Sequence, residues 1–236
     1  MTKIDITYYD FLAKLNLEGK KTVWNENRIK IDHVYKRIKK YLKNTSSACE
    51  VGVGDGYLLR LLHNSGLNVL GIDISKYLVN ELKSRFDREG FDIELVHGDI
   101  SRIQLEKDKF DVFLCLDVLE HILNIEKAIK NIKKALINGG LLIGTLPFRE
   151  NLKDNMVMCP KCKYKFHRIG HYHSFNTVED IKQLLGSDFK IVEISELRLF
   201  KNVFDIISHI IHNISWFIFK TNIASTVYFV ARVNKN

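Results

Sequence analysis

The sequence predicts an α/β protein with a mostly parallel sheet and helices on both of its faces. Short apolar segments of strand length alternate with longer segments in which apolar residues recur at helical spacing. The strand-like segments are continuous apolar runs, such as residues 112–116, and these runs are typical of strands covered on both faces. Parallel neighbours are favoured because each intervening helix can provide a right-handed crossover between two strands.

The predicted elements extend over most of the chain. Strands are expected at residues 48–51, 68–72, 91–96, 110–116, 141–146, 189–199 and 226–233. Helices are expected at residues 29–42, directly after 52–56, at 76–88, at 125–136, after 176 and at 202–219. Asn138-Gly139-Gly140 is expected to stop the helix at 125–136, and Asn176 to cap the next one with Glu179 at its third position. We therefore divide the chain into an N-terminal helical cap, 1–45, and a larger domain, 46–236.

Composition limits the classes of protein to which the chain can belong. Its 236 residues include 36 Lys and Arg against 28 Asp and Glu. The net charge of +8 favours anionic partners such as phosphates, nucleic acid or a lipid surface, unless it serves only solubility. The first residues lack the apolar core of a signal peptide, and polar residues within the apolar segment 203–219 argue against a transmembrane span. A cytoplasmic location is expected, where the 4 cysteines would stay reduced.

A glycine-rich turn lies between the first strand and the helix after it. Residues 50–56 read Glu-Val-Gly-Val-Gly-Asp-Gly. Glycine is needed where a turn takes unusual dihedral angles and where the backbone approaches a ligand closely. The dinucleotide fingerprint has a further glycine three residues after its second one, and this chain has Tyr57 there, which argues against a pyrophosphate site.

Acidic residues follow the next three strands at their carboxyl ends. Asp73 lies about 20 residues after the glycine turn, where a carboxylate can accept hydrogen bonds from a ribose diol. Asp99 can accept from an adenine amino group, with Ile100 beside the ring, and Asp117 follows the fourth strand. Carboxyl ends of strands line the crevice where open α/β sheets bind ligands. The alternative is that these acids only cap helices.

Together the glycine turn and these acids resemble the class I S-adenosylmethionine-dependent methyltransferases, over residues 29–200 and the final strand. The closest resemblance is to small-molecule enzymes with a Glu-x-Gly-x-Gly-x-Gly loop. It implies a Rossmann-like seven-stranded sheet ending in an antiparallel hairpin, S-adenosylmethionine as cofactor, and methyl transfer to O or N of a small-molecule or glycan- or lipid-linked acceptor. The cofactor-binding residues that it implies are Glu50, Gly52, Gly54, Gly56, Asp73, Ile74, Asp99, Ile100 and Asp117.

His121 is the candidate catalytic base. It follows the fourth strand, in the segment 117–121, where the acceptor is expected to lie. A base is needed only when the acceptor still holds its proton at neutral pH. The alternative is that His121 only packs against or orients the cofactor loop.

The segment 147–176 is too long for an ordinary connection and is expected to form a lid over the acceptor pocket. It contains Cys159, Cys162, His167 and His171 in the spacing C-x2-C-x4-H-x3-H. Two thiolates and two imidazoles suit a tetrahedral structural zinc ion. The alternatives are that the cysteines form a reduced, exposed pair, or that His171 and the nearby His173 contact the acceptor instead of a metal.

Two cysteines and both chain ends have simpler interpretations. Cys49 and Cys115 lie within predicted strands and are expected to be buried and inert. The apolar stripe of helix 202–219 indicates core packing, a homodimer interface or a surface that meets lipid. The aromatic residues of the N-terminal segment, which are expected to cover the pocket, are Tyr8, Tyr9, Phe11 and Trp24.

Three other functions remain open on the sequence. The Cys/His loop and the lysine clusters could bind RNA, although residues 117–120 lack the signature of enzymes that methylate base amines. The domain could be a non-catalytic, cofactor-binding partner subunit. A nicotinamide-dependent oxidoreductase is disfavoured by the glycine spacing.

Overall fold

The computed structural model describes the backbone of residues 3–17, 23–197 and 225–235, and within these the side chains of 8–17, 28–197 and 225–235. Its main sheet has seven strands in the order β3-β2-β1-β4-β5-β9-β8. These are β1 (Ser47–Val51), β2 (Asn68–Asp73), β3 (Glu94–His97), β4 (Phe110–Leu116), β5 (Leu136–Phe148), β8 (Phe189–Leu197) and β9 (Ser225–Val233). Strands β1 to β5 are parallel, and β9 pairs antiparallel with both β5 and β8. The predicted fold is therefore confirmed.

Helices cover both faces of this sheet. They are α1 (Lys3–Leu17), α2 (Val23–Ile38), α3 (Tyr57–His63), α4 (Lys76–Glu89), α5 (Ile125–Ala135) and α6 (Val178–Leu185). Strand β4 shows the two-sided burial directly, because Phe113 belongs to the core cluster under α5 and α6 whereas Leu114 belongs to the cluster under α2, α3 and α4. None of the described helices is long and apolar enough to cross a membrane.

Buried thiols lie within this core, as the sequence predicts. Cys49 and Cys115 are fully buried, and burial raises the pKa of both thiols. They therefore remain protonated and unreactive at neutral pH.

Two predicted helix ends differ from the structure. Helix α5 ends at Ala135, and the chain enters β5 at once, with the fully buried Leu136 opposite Phe110. Gly139 lies in a later irregularity of β5, so it does not stop the helix. The cap of α6 is Thr177 rather than Asn176, because the Thr177 hydroxyl accepts from the Asp180 N–H at 3.2 Å and Asp180 returns the bond. Adjacent residues with similar capping ability explain this one-residue shift.

The segment 147–176 is a closed loop with structure of its own. It contains a short hairpin of β6 (Met156–Met158) and β7 (Lys165–His167), and it leaves and rejoins the sheet at one point, where Phe148 bridges Phe175. The Tyr172 N–H donates to the carbonyl of Glu120 at 2.8 Å, which holds the loop over the end of β4. The predicted helix 202–219 and the side chain of Trp24 lie outside the described residues.

Candidate active site

A cavity of about 330 Å³ opens at the carboxyl ends of β1, β2, β3 and β4. Parallel strands end at one edge of the sheet, so residues far apart in sequence meet there. His121 and all of the predicted cofactor-binding residues except Gly56 line the cavity. Helix α1 contributes Tyr9, Leu12 and Ala13 to the opposite wall. Of the aromatic residues that were predicted to cover the pocket, Tyr9 lines it, whereas Phe11 is exposed.

Two glycines of the turn serve different purposes. Gly54 has a φ of +52°, and a Cβ built there would meet nothing within 4 Å, so a side chain would project into open space at the cavity. Gly56 has a φ of +73°, and its Cβ would lie 2.6 Å from the ring of the buried Phe86. Gly56 does not line the cavity, and its hydrogen is required for packing against α4.

Asp73 ties the glycine turn to the end of β2. Its carboxylate accepts from the Val53 N–H at 3.0 Å and from the Ser75 N–H at 2.8 Å. Burial raises the pKa of Asp73 to about 6, and the two N–H donors limit that rise. Each oxygen keeps a further lone pair that can accept a hydrogen bond from a ligand.

Glu50 lies at the floor of the cavity with little exposure, at 4%. Its Oε2 has no hydrogen-bond partner among the described residues, and burial raises its pKa well above the usual value. An unpaired buried polar atom is costly, so a polar ligand atom at this position would be stabilising.

Two basic residues of α2 hold the rim of the cavity. Arg28 forms an ion pair with Asp55 of the glycine turn at 2.6 Å, and Lys30 pairs with Asp117 at 2.5 Å. The second oxygen of Asp117 accepts from the Thr145 hydroxyl at 2.8 Å. Sequence reasoning missed Lys30, because nothing in its position on α2 indicates a partner that lies 87 residues away in the sequence.

Asp99 has partners on both carboxylate oxygens, with Nε of Arg102 at 3.5 Å from its Oδ2. Its Oδ1 accepts from the N–H of Ser101 at 2.9 Å and from the hydroxyl of the same residue at 2.7 Å. Asp99 and Ile100 both line the cavity next to Gly98. This arrangement agrees with a carboxylate and an apolar side chain at the position predicted for adenine.

His121 lies where the cavity meets the loop. Its Nδ1 is 3.2 Å from the carbonyl oxygen of Gly170, so Nδ1 carries the proton and Nε2 keeps a free lone pair. Burial, together with the neighbouring His171, lowers the pKa of His121 to about 4. The imidazole is therefore neutral at pH 7, but it is a weak proton acceptor, which disfavours the predicted role of general base.

The predicted zinc ligands do not come together. Cys159 and Cys162 lie at the turn of the β6–β7 hairpin, whereas His167 pairs opposite Met156 at its base. Among the described residues, two groups of potential ligand atoms lie within 4.8 Å of one another, namely Glu120, His121 and His171, and Glu150, His167 and His171. Neither group contains a cysteine. The antiparallel pairing of the hairpin separates its turn from its base and so accounts for this difference.

Glu150 orients the loop histidines, and the sequence carried no signal for it. Its Oε2 lies 2.5 Å from Nδ1 of His171, and its Oε1 lies 3.9 Å from Nε2 of His167. The His171 N–H also donates to Nδ1 of His167 at 3.1 Å. These contacts fix the direction of both rings.

Part of the chain that forms this cavity is similar in sequence to a known kind of domain. Residues 49–144 match a family model described as a methyltransferase domain. A ubiquinone biosynthesis O-methyltransferase of Rickettsia prowazekii is 32% identical over 120 residues, which cover 50% of this chain and 47% of that protein. The chain thus spans about half the length of the curated relatives it matches.

Two solved structures share the fold at low sequence identity. One is a chain from the Haloferax volcanii complex of the Trm112 methyltransferase activator and a methyltransferase, with a TM-score of 0.72, 13% identity, and coverage of 96% of this chain and 98% of that one. The other is a Burkholderia thailandensis 1,6-didemethyltoxoflavin-N1-methyltransferase with bound 1,6-didemethyltoxoflavin and S-adenosylhomocysteine. Its TM-score is 0.68 at 14% identity, with 98% and 89% of the two chains covered.

Proposed function

Since the chain carries a class I S-adenosylmethionine-dependent methyltransferase domain, we propose that it transfers a methyl group from that cofactor to an oxygen of a small-molecule acceptor. The observation that carries the proposal is the cavity in which the glycine turn, Asp73 and Asp99 meet. Asp73 is assigned to the ribose hydroxyls, Asp99 and Ile100 to adenine, and Glu50 to the methionine portion.

The reaction needs little from the protein beyond alignment. The bond between sulfur and the methyl carbon breaks, its electron pair stays on sulfur, and S-adenosylhomocysteine leaves. The acceptor oxygen forms the new bond to the methyl group and releases its proton to solvent. Holding oxygen and carbon about 3 Å apart in line supplies most of the rate increase. His121 is assigned to the acceptor end of the cavity, where its neutral imidazole helps to position the acceptor.

Oxygen is favoured over nitrogen because the curated relatives are O-methyltransferases. The net charge of +8 also favours an anionic acceptor, and the loop adds the exposed Lys161, Lys163 and Arg168. We therefore propose a hydroxylated, negatively charged small molecule as the acceptor class.

Calorimetry with purified protein tests the cofactor assignment. We expect one S-adenosylhomocysteine to bind per chain and NAD not to bind. Release of S-adenosylhomocysteine in the presence of hydroxylated aromatic acids then tests the transfer. Uptake of NAD without uptake of S-adenosylhomocysteine would overturn the assignment, and binding without transfer to any acceptor would favour a non-catalytic partner subunit.

Replacing His121 by alanine is expected to lower turnover by about 100-fold, because the acceptor loses its contact at the reacting oxygen. The affinity for S-adenosylhomocysteine should change less than about threefold, since the assigned cofactor contacts lie elsewhere. Steady-state kinetics and calorimetry measure the two effects. His63→Ala is the control, because His63 lies on α3 and does not line the cavity. An equal loss of affinity and turnover in His121→Ala would contradict the assignment to the acceptor.

A further inference from the structure

We propose that Glu120, His121 and His171 bind one divalent transition-metal ion at the acceptor end of the cavity. The ligand atoms of these residues lie within 4.8 Å of one another. Metal–ligand bonds of about 2.0–2.2 Å place the ligand atoms of a tetrahedral site about 3.4 Å apart. Small side-chain rotations would close this difference. The role of the ion in catalysis rests on the proposed function, whereas its binding does not.

Both histidines are held in the tautomer that a metal requires. His121 donates its Nδ1 proton to the carbonyl of Gly170 at 3.2 Å, and Nδ1 of His171 lies 2.5 Å from the Glu150 carboxylate. Each ring therefore keeps its Nε2 lone pair free. Carboxylates and carbonyls on the far nitrogen are the partners that orient metal-binding histidines.

Glu120 is the observation that points to a bound cation. Its side chain is fully buried, and neither carboxylate oxygen has a hydrogen-bond partner among the described residues. A buried carboxylate without a partner is strongly unfavourable, so such groups are paired or coordinate a metal. A dication between Glu120 and the two imidazoles would satisfy both oxygens and both free nitrogens.

The neighbouring group around His167 fits a metal less well. Nδ1 of His167 accepts the His171 N–H at 3.1 Å, so the proton of a neutral His167 ring lies on Nε2. That nitrogen faces Glu150 at 3.9 Å and has no lone pair to give to a metal. Only the group with Glu120 and His121 therefore has three ligands in the required state.

The donor set indicates which ion binds. Two imidazoles and one carboxylate suit Zn²⁺, Co²⁺ or Mn²⁺, whereas Mg²⁺ prefers oxygen ligands throughout. Three protein ligands leave a position open, which is typical of catalytic rather than structural sites. Since His121 lines the cavity, the open position faces the acceptor. A hydroxyl bound there would lose its proton to solvent more readily and present its oxygen to the methyl group.

Metal content tests the site without reference to activity. Tag-free protein is stripped with a chelator, and Zn²⁺ binding is measured by calorimetry. The background carries Cys159→Ser and Cys162→Ser, which removes the exposed thiols as competing ligands. We expect about one equivalent of Zn²⁺ in this background, and affinity at least about 100-fold lower after Glu120→Gln or His171→Ala. Unchanged Zn²⁺ affinity in both variants would overturn the proposal. So would binding of less than about a tenth of an equivalent of Zn²⁺ by the background protein that keeps Glu120 and His171.

The spectrum of bound Co²⁺ provides a second measurement. Coordination by two nitrogens and one carboxylate gives visible ligand-field bands, and the wild-type chain should show no thiolate-to-cobalt charge-transfer band. A strong charge-transfer band that disappears with the two cysteine substitutions would assign the ion to the hairpin turn and overturn the proposal.

Binding of S-adenosylhomocysteine separates this inference from the proposed function and also controls for folding. Glu120→Gln nearly preserves the shape of the side chain, so this variant should still bind S-adenosylhomocysteine while losing Zn²⁺. Protein that still binds S-adenosylhomocysteine but takes up no Zn²⁺ would overturn only the metal site. Protein that binds Zn²⁺ through Glu120 but no S-adenosylhomocysteine would overturn only the proposed function.

Discussion

Replacing Asp73 by alanine is expected to weaken S-adenosylmethionine binding by at least about 100-fold. Hydrogen bonds to a charged group contribute about 1.5–3 kcal/mol each, and the ribose diol can donate two of them to this carboxylate. The substitution also removes the acceptor for the Val53 and Ser75 N–H groups, which releases the glycine turn from the end of β2. Calorimetry measures the loss.

Asp111 is the matched control for this substitution. It also accepts two backbone N–H groups, from Ser46 at 2.9 Å and from Ser47 at 3.0 Å, but it lies at the opposite end of the sheet. Asp111→Ala is expected to lower stability and leave cofactor affinity unchanged. If both variants lost affinity to the same extent, the effect of Asp73 would be one of general stability rather than of ligand contact.

The raised pKa of Asp73 predicts opposite effects of pH on binding and on stability. Its pKa is about 6 in the folded, ligand-free chain against 3.8 for the ordinary group, so the folded state binds more protons between these values. The contribution of Asp73 to stability therefore increases as the pH falls from 7 to 5. Cofactor affinity should instead decrease, by up to about tenfold per pH unit below 6, because the ribose hydroxyls need the ionised carboxylate.

The Asp73→Asn variant tests whether Asp73, rather than another buried carboxylate, causes this dependence on pH. The variant should bind the cofactor weakly at pH 7.5 and should show a flatter dependence of affinity on pH. Affinity and the free energy of unfolding are measured on both proteins between pH 5 and 8. An affinity of the wild-type protein that rises on acidification would contradict the assignment of the ribose to Asp73.

Replacing Gly56 by alanine is expected to destabilise the fold by about 3 kcal/mol. Left-handed backbone costs an ordinary residue roughly 1–2 kcal/mol, and inserting a methyl group into a filled core typically costs about 1–3 kcal/mol. Both apply here, because φ is +73° and the new Cβ would overlap the ring of Phe86 at 2.6 Å. Phe86 is 1% exposed and has no free space into which it could move. Urea denaturation of the ligand-free protein measures the change.

Substitutions at two other glycines are controls that distinguish the cost of backbone strain from the effects on core packing and on cofactor binding. Gly66 has a φ of +85° with nothing within 4 Å of its Cβ position, so Gly66→Ala should cost only about 1 kcal/mol. Gly54→Ala should cost a similar amount, about 1 kcal/mol, yet it should also weaken cofactor binding, because its side chain would enter the cavity. Equal destabilisation by Gly56→Ala and Gly66→Ala would show that the contact with Phe86 does not matter.

The local pattern of the sequence determined the fold and one wall of the site. Strand and helix periodicity are properties of neighbouring residues, and parallel strands with right-handed crossovers bring their carboxyl ends to one edge. For that reason the sequence alone could place Asp73, Asp99 and Asp117 together, and the structure puts all three on the cavity. The burial of β4 on both of its faces likewise follows from its apolar run.

Tertiary structure decided the contacts that cross from one segment to another. The pairing of Lys30 with Asp117 joins residues 87 positions apart, and the contact of His171 with Glu150 depends on how a long loop folds back on itself. The spacing of Cys159, Cys162, His167 and His171 suggested one cluster, but hairpin pairing separates the cysteines from the histidines. Such contacts depend on the three-dimensional path of the chain, because a side chain interacts with whatever that path brings within a few ångströms of it.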